Sequence, residues 1–380
     1  MTLSTNGVLE NVEILAHRLA SERRSGAREL SADDFAAVAA TGFHQLLVPE
    51  AMGGLWASTA RSTRAVAHAI SLIAAGDSSL ALILSMEPVA MFVTGWLADF
   101  HVDEADPTWL RQREEFVGLL ASGAGAWGVL LSERDGVIRS SAKQSPDGDW
   151  SISGEKSSGS GWDHVAFMLT NAVPEGEDRP DLFVLDLRDR QNLSGVSVSR
   201  TWDGHGMTAS GSHAVVLNDA PVWRVTWPGR QDLLNRMASG PTIGCRLAPF
   251  VGIVRAAVAA AAERLRTRGG TRSGLESVEW AQAQAAGWLV DQAFEGVLRA
   301  TETGESAESF GHMARLAKLA VSEQAENALQ HISRALGGMT YSQGSPFGWW
   351  HSDVRAMAFI RPTLATTVDE LNEQPGSGAR

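Results

Sequence analysis

Leu182-Phe183-Val184-Leu185-Asp186-Leu187 is a short apolar run without helical spacing, and its reading divides the chain. A run of this length between polar flanks reads as a buried strand rather than a helix. Similar runs lie on either side of it, at Val165-Ala166-Phe167-Met168-Leu169 and Ala214-Val215-Val216-Leu217. Turn signals at Pro146-Asp147-Gly148 and Asn218-Asp219 separate such runs. Residues 123–229 are therefore read as a β domain, set between two helical regions.

Upstream, residues 1–122 read as helical. Ser31-Ala32-Asp33-Asp34 has the form of an N-cap with an acidic first turn, followed by Phe35, Val38 and Ala39 at helical spacing. Gly42 closes that helix, and Pro49 with Gly53-Gly54 marks a loop. Residues 60–75 and 78–97 read as two more helices, the second apolar nearly all round and hence interior. Downstream, residues 230–380 read as a helical bundle ending in a disordered tail. Residues 251–266, 275–301 and 305–336 are its long helices, with Pro249 near the start of the first or at a kink.

At 380 residues the chain exceeds one core. Its 44% apolar and 20% charged residues fit a globular protein. With 32 basic against 44 acidic residues the net charge is −12, which argues against general nucleic-acid binding but leaves room for one local basic pocket. A lone cysteine, Cys245, excludes an internal disulfide and a thiolate cluster. Apolar stretches are interrupted before they reach membrane-spanning length, and the polar Thr2-Leu3-Ser4-Thr5-Asn6-Gly7 start lacks a signal-peptide core, so the expectation is a cytoplasmic protein. His101, Asp103, Glu104 and Asp106 form the densest ligand-type group, read as a solvated acidic run, and no metal site is expected. Nucleophile-elbow, P-loop and dinucleotide-binding glycine patterns are absent.

Two small-residue groups stand out. Gly154-Glu155-Lys156-Ser157-Ser158-Gly159-Ser160-Gly161 reads either as a flexible hairpin loop or as a surface that lets a flat ligand approach the backbone. Gly337-Gly338 reads as a helix C-terminus, with or without a ligand role. The 13 Trp residues are assigned to packing.

Order and spacing together resemble the acyl-CoA dehydrogenase superfamily over nearly the whole chain. Residues 42–54, from Gly42 through Pro49-Glu50 to Gly53-Gly54, are similar to the family's "G-x-x-x-x-x-x-P-E-x-x-G-G" stretch. The segment from Trp127 to Gly136 resembles the strand and loop of "T-E-P-x-A-G-S-D", with Ser132-Glu133 for Thr-Glu and Arg134 in place of Pro. Residues 154–161 match "G-x-K-x-W-I-T-N", with Ser158 at the Trp position and Ser160 at the Thr position. Gly206-Met207-Thr208 through Val222 resembles "G-M-x-x-T…V-x-V". Leu336-Gly337-Gly338-Met339-Thr340-Tyr341 matches "G-G-x-G-Y", and His351-Ser352-Asp353-Val354-Arg355 matches "Y-R-D-A-R".

The resemblance implies an α+β, mostly α fold: an N-terminal helical domain, a middle β-barrel-like domain and a C-terminal four-helix bundle. It implies FAD, or FMN as the alternative, held by Trp127, Ser132, Ser158, Ser160, Arg272, Gly337, Gly338 and Thr363. Arg272 stands for the arginine that meets the flavin pyrophosphate, and Gly337-Gly338 for glycines that approach a neighbouring subunit's cofactor, so a homodimer or homotetramer is implied. Arg361, in Ile360-Arg361-Pro362-Thr363, stands where the family's dehydrogenases carry the catalytic Glu of "Y-E-G-T". An arginine cannot abstract a proton. The other family position for a base falls at about Thr242, also not a carboxylate.

Three readings follow from the resemblance. One is a flavin-dependent oxidoreductase oxidising an acyl-CoA or other acyl thioester, with hydride transfer to flavin N5 and an unplaced base. The second is a monooxygenase of the same fold, using O2 and reduced flavin from a separate reductase. The third is a non-catalytic subunit paired with an active homologue. Arg361 is expected either to favour an anionic species beside the flavin or to pair with a surface acid such as Asp369 or Glu370.

Overall fold

The computed structural model describes the backbone of residues 3–23, 28–97, 106–226, 231–271 and 273–373, with side chains at all of these except 231–241, 307, 308 and 373. The acidic 101–105 segment, Arg272 and the 376–380 tail lie outside the described residues. Among the described residues no group of three metal-ligating side chains converges.

The first layer is helical: α1 (Thr5–Arg23), α2 (Ala32–Thr41), α3 (Thr59–Gly76), α4 (Ser78–Leu84), α5 (Met86–Val93) and α6 (Pro107–Ala121). Asp34 Oδ2 accepts the Ser31 amide at 2.8 Å, so the acidic first turn closes the start of α2 as the sequence suggests. Gly42 ends it in the left-handed region at φ 85°. The single helix expected over 78–97 is two helices. Ser85 Oγ turns back to the Leu82 carbonyl at 2.7 Å, and Pro88 has no N–H to offer the Leu84 carbonyl, so the ladder breaks between α4 and α5.

Strands follow: β1 (Trp127–Ser132), β2 (Ser141–Gln144), β3 (Trp150–Ser160), β4 (Phe167–Pro174), β5 (Asp181–Asp186), β6 (Val196–Arg200) and β7 (His213–Arg224). β1 pairs antiparallel with β3 and parallel with β4, β3 also pairs with β7, and β7 joins β5 and β6. These pairings fold the sheet back on itself, giving the barrel-like form. Two readings are corrected here. The Gly/Ser-rich 154–160 stretch is no loop; it is the second half of β3, registered on β7 with Glu155 opposite Val216. Asn218-Asp219 is no turn between strands; it is a kink inside β7, where Asp219 takes φ 51° and its amide bonds Ser153 Oγ at 2.9 Å.

The chain then returns to helix: α7 (Gln231–Arg268), α8 (Gly274–Thr303), α9 (Ala307–Leu336), α10 (Pro346–Val354) and α11 (Leu364–Glu373). Pro249 lies within α7 rather than near its start. Residues 242–268 of α7 are long and apolar enough to cross a membrane by length and composition, yet most of that face is buried in the bundle. Gly252 brings α7 against α3: a Cβ there would sit 2.0 Å from the Ser71 carbonyl oxygen. The three layers are tied at Asp353 of α10. Its carboxylate accepts Arg28 at 2.7 Å, Ser78 Oγ at 2.5 Å and the Met207 amide at 2.6 Å, and these come from three different parts of the chain.

Candidate active site

The site is assembled where β1 leaves the sheet. Antiparallel register sets Ser132 opposite Ser158 and Val129 opposite Ser160. Because alternate strand residues share a face, small hydroxylated side chains border this edge, with Ser132, Ser158 and Ser160 half-buried and Ser210 and Ser212 buried beside them. Ser160 Oγ lies 2.9 Å from Ser212 Oγ, which lies 2.8 Å from Ser210 Oγ, and Ser157 Oγ donates to the Ser132 carbonyl at 3.1 Å. Such a row offers donors and acceptors without side-chain bulk, which suits the nitrogen and oxygen edge of a planar ring.

A buried ion pair fixes this edge from behind. Lys156 Nζ donates to Glu133 Oε1 at 2.6 Å and to the Asn171 carbonyl and Oδ1 at 2.6 and 2.9 Å. Glu133 also accepts the Arg139 amide at 2.6 Å and Ser140 Oγ at 2.7 Å. Burial pushes the Glu133 carboxyl up, but Lys156, the Arg139 amide and Ser140 outweigh it, so the group stays below the usual carboxylate range. Burial is also the largest influence on Lys156 and pulls its ammonium down, with Glu133 opposing.

Arg361 approaches from the C-terminal region. Its Nη2 donates to the Glu133 carbonyl at 2.7 Å, and its own carbonyl accepts Arg246 Nη1 at 2.7 Å. It pairs with neither expected surface acid; Glu370 is taken by Arg315 at 2.5 Å. Lys318 Nζ donates to the Ile360 carbonyl at 2.5 Å and to the Pro362 carbonyl. Thr242 is buried one turn before Arg246, and its Oγ1 accepts Arg246 Nη2 at 3.3 Å.

The structure thus brings Ser132, Ser158, Ser160 and Arg361 to one region. It does not bring Trp127 there. That side chain sits on the β1 face packed against the helical layer, wholly buried among Trp96, Phe116 and Phe167, and presents no surface to a cofactor. Thr363 is occupied as a helix cap, its Oγ1 accepting the Thr366 amide at 3.3 Å. Gly337, at φ 78°, and Gly338 are exposed at the end of α9 with open space around both.

Sequence reasoning missed Glu133–Lys156, Arg246 and Lys318 as working residues. For Lys318 a signal exists: a lone lysine in Leu316-Ala317-Lys318-Leu319-Ala320-Val321, on the helix face that buries Ala314, Ala317 and Val321.

No family model matches the chain. Butyryl-CoA dehydrogenase from Megasphaera elsdenii superposes with a TM-score of 0.81 at 17% identity, covering 98% of each chain. The chain has the acyl-CoA dehydrogenase fold. KijD3, solved in complex with FMN and dTDP-3-amino-2,3,6-trideoxy-4-keto-3-methyl-D-glucose, shares that fold with a TM-score of 0.82 at 23% identity, covering 97% of this chain and 93% of that one. Among curated relatives, the amino sugar nitrososynthase DnmZ of Streptomyces peucetius is 28% identical over 344 residues, 86% of this chain and 82% of the relative. Within this fold, then, the chain is similar both to an acyl-CoA dehydrogenase and to an amino sugar nitrososynthase.

Proposed function

We propose that the protein is a flavin-dependent monooxygenase that oxidises the amino group of a nucleotide-linked amino sugar. The observation that carries this reading is Arg361: it stands where the resemblance puts the dehydrogenase base, and one of its donors bonds the Glu133 carbonyl at 2.7 Å. The second position that the resemblance gives for a base falls at about Thr242, and the Glu133 carboxylate, though ionised, spends its oxygens on Lys156, the Arg139 amide and Ser140, which makes it a poor base. Neither position therefore offers a base for an acyl α-proton, whereas oxygenation of an amine breaks no α C–H bond. The likeness to DnmZ and KijD3 supports the same choice over thioester oxidation.

Reduced flavin, when bound, supplies the two electrons that let dioxygen give one oxygen to the substrate and the other to water. One round converts RNH2, O2 and two electrons with two protons to RNHOH and H2O. A second converts RNHOH, O2 and the same equivalents to RNO and two H2O. On the protein side, Ser132 and Ser160 would hold the ring edge by hydrogen bonds, and Ser158, in place of the bulky Trp, leaves one ring face open to substrate. FMN is favoured over FAD by the likeness to KijD3.

Anaerobic mixing of the flavin-loaded protein with butyryl-CoA tests the reading. Persistence of the oxidised flavin spectrum is expected; rapid bleaching would show that a competent base exists. We also propose a homodimer or homotetramer. Leu275, Val278, Trp288 and Leu289 leave α8 with an exposed apolar face that a second copy would cover. A sedimentation coefficient of a monomer at micromolar concentration would contradict this.

A further inference from the structure

Three consecutive carbonyls, those of residues 360, 361 and 362, are each held by a cation: Lys318 takes the first at 2.5 Å and also the third, and Arg246 takes the second at 2.7 Å. Lys318 comes from α9, and Arg246 from α7, where it is braced on Thr242. Two helices of the bundle thus grip one short segment. The side chain that leaves this segment, Arg361, is exposed and spends one donor on the Glu133 carbonyl, beside Ser132. A guanidinium has five N–H donors, and among the described residues the others on Arg361 have no partner.

We propose that Arg361 is the contact for the phosphoryl anion of the substrate, and that Lys318 and Arg246 are positioning residues that fix it through the carbonyls of residues 360–362. The identity of the ligand as a nucleotide sugar rests on the function proposed above; the anion site itself does not. A fork of N–H groups held in place suits bidentate binding of a phosphoryl group. The charged group acting on Lys318 is Arg246 rather than a carboxylate, so positive charge stands behind the 360–362 segment, and the Glu133 carboxylate beside Arg361 is paired with Lys156. Among the described residues, three acids on elements around α9 are engaged elsewhere: Glu370 of α11 by Arg315, Asp353 of α10 by Arg28, and Glu279 of α8 by His331. Burial, with Arg246 adding to it, pushes the Lys318 ammonium down to about 7. The positive charge behind Arg361 therefore falls as pH rises through neutrality.

Calorimetric titration of the full chain with dTDP-glucose and, separately, with sulfate tests this, since neither probe changes charge between about pH 6 and about pH 8.5. Wild-type protein is expected to bind both about fivefold more weakly at the higher pH. Lys318→Arg should bind well at both pH values, Lys318→Met weakly at both, and Arg361→Ala should lose about tenfold or more throughout. Circular dichroism identifies any variant that fails to fold, and Arg361→Ala, at an exposed position, then carries the test alone. Unchanged sulfate and dTDP-glucose binding by folded Arg361→Ala overturns the proposal, as does a pH dependence that survives in folded Lys318→Arg. If Arg361→Ala weakens FMN but not dTDP-glucose, the anion is the flavin phosphate and the substrate assignment is wrong. If sulfate follows the expected pattern while dTDP-glucose does not bind, the anion site stands and the nucleotide-sugar reading falls.

Discussion

Lys156 and Lys318 are both almost wholly buried, at 0% and 1% exposure, yet their surroundings answer that burial differently. Lys156, behind the β1 edge, has the Glu133 carboxylate at 2.6 Å and both oxygens of Asn171. Among the described residues, Lys318, in the bundle, has only backbone carbonyls and the repulsion of Arg246. A buried charge with a counter-ion is a lock: removing either partner strands the other in a low-dielectric region. A buried charge without one is left free to titrate near neutrality. The first belongs to the frame that holds the serine edge, and the second stands behind Arg361.

The largest effect is expected at the Glu133–Lys156 pair. Lys156→Met should cost about 3–5 kcal/mol of stability by leaving the Glu133 carboxylate unpaired. Denaturant titration measures it, and adding Glu133→Gln should recover part of the loss. Lys318→Met strands two carbonyls but no charge, so the expected cost is smaller, about 1–3 kcal/mol. Equal losses for the two variants would mean that the distinction drawn between them is false.

pH sharpens the contrast further. The Lys318 ammonium is lowered from 10.5 to about 7 in the folded chain, so between those values the unfolded chain holds a proton that the folded one has released. Stability contributed by this group therefore rises with pH across that window and is flat below it. Denaturation midpoints at the two ends of the window should show the rise in wild-type protein and its loss in Lys318→Met. The smallest effect is expected at the serine edge. Ser132→Ala and Ser160→Ala should each weaken flavin binding by about 0.5–1.5 kcal/mol, read by fluorescence titration, and an unchanged affinity in the double variant would place the ring elsewhere.

Local signals and long-range ones were unequally readable in the sequence. The cap at Ser31–Asp34 and the stop at Gly42 act within a few residues, so they could be read directly. β3 was hidden because its second half is glycine and serine, residues with poor strand propensity, and only pairing with β1 and β7 makes it a strand. The motif resemblance singled out Ser132, Ser158, Ser160 and Arg361, which lie in one region, but it could not tell that Trp127 faces the helical layer and that Thr363 caps α11. The grip on residues 360–362 depends on side chains 42 and 115 positions away, and the Arg28–Asp353 tie spans 325, separations that no local pattern encodes.

We propose oxygenation of an amine in place of acyl α-proton abstraction at the site beside Arg361. Its most direct test supplies the protein with FMN, a flavin reductase, NADH, a dTDP-linked 3-amino sugar and isotopically heavy dioxygen, and weighs the product. The account predicts a hydroxylamine or nitroso sugar carrying one heavy oxygen on nitrogen, formed only while reduced flavin is supplied. An unaltered amine in that mixture, together with desaturation of a simple acyl-CoA by the same protein, would contradict it.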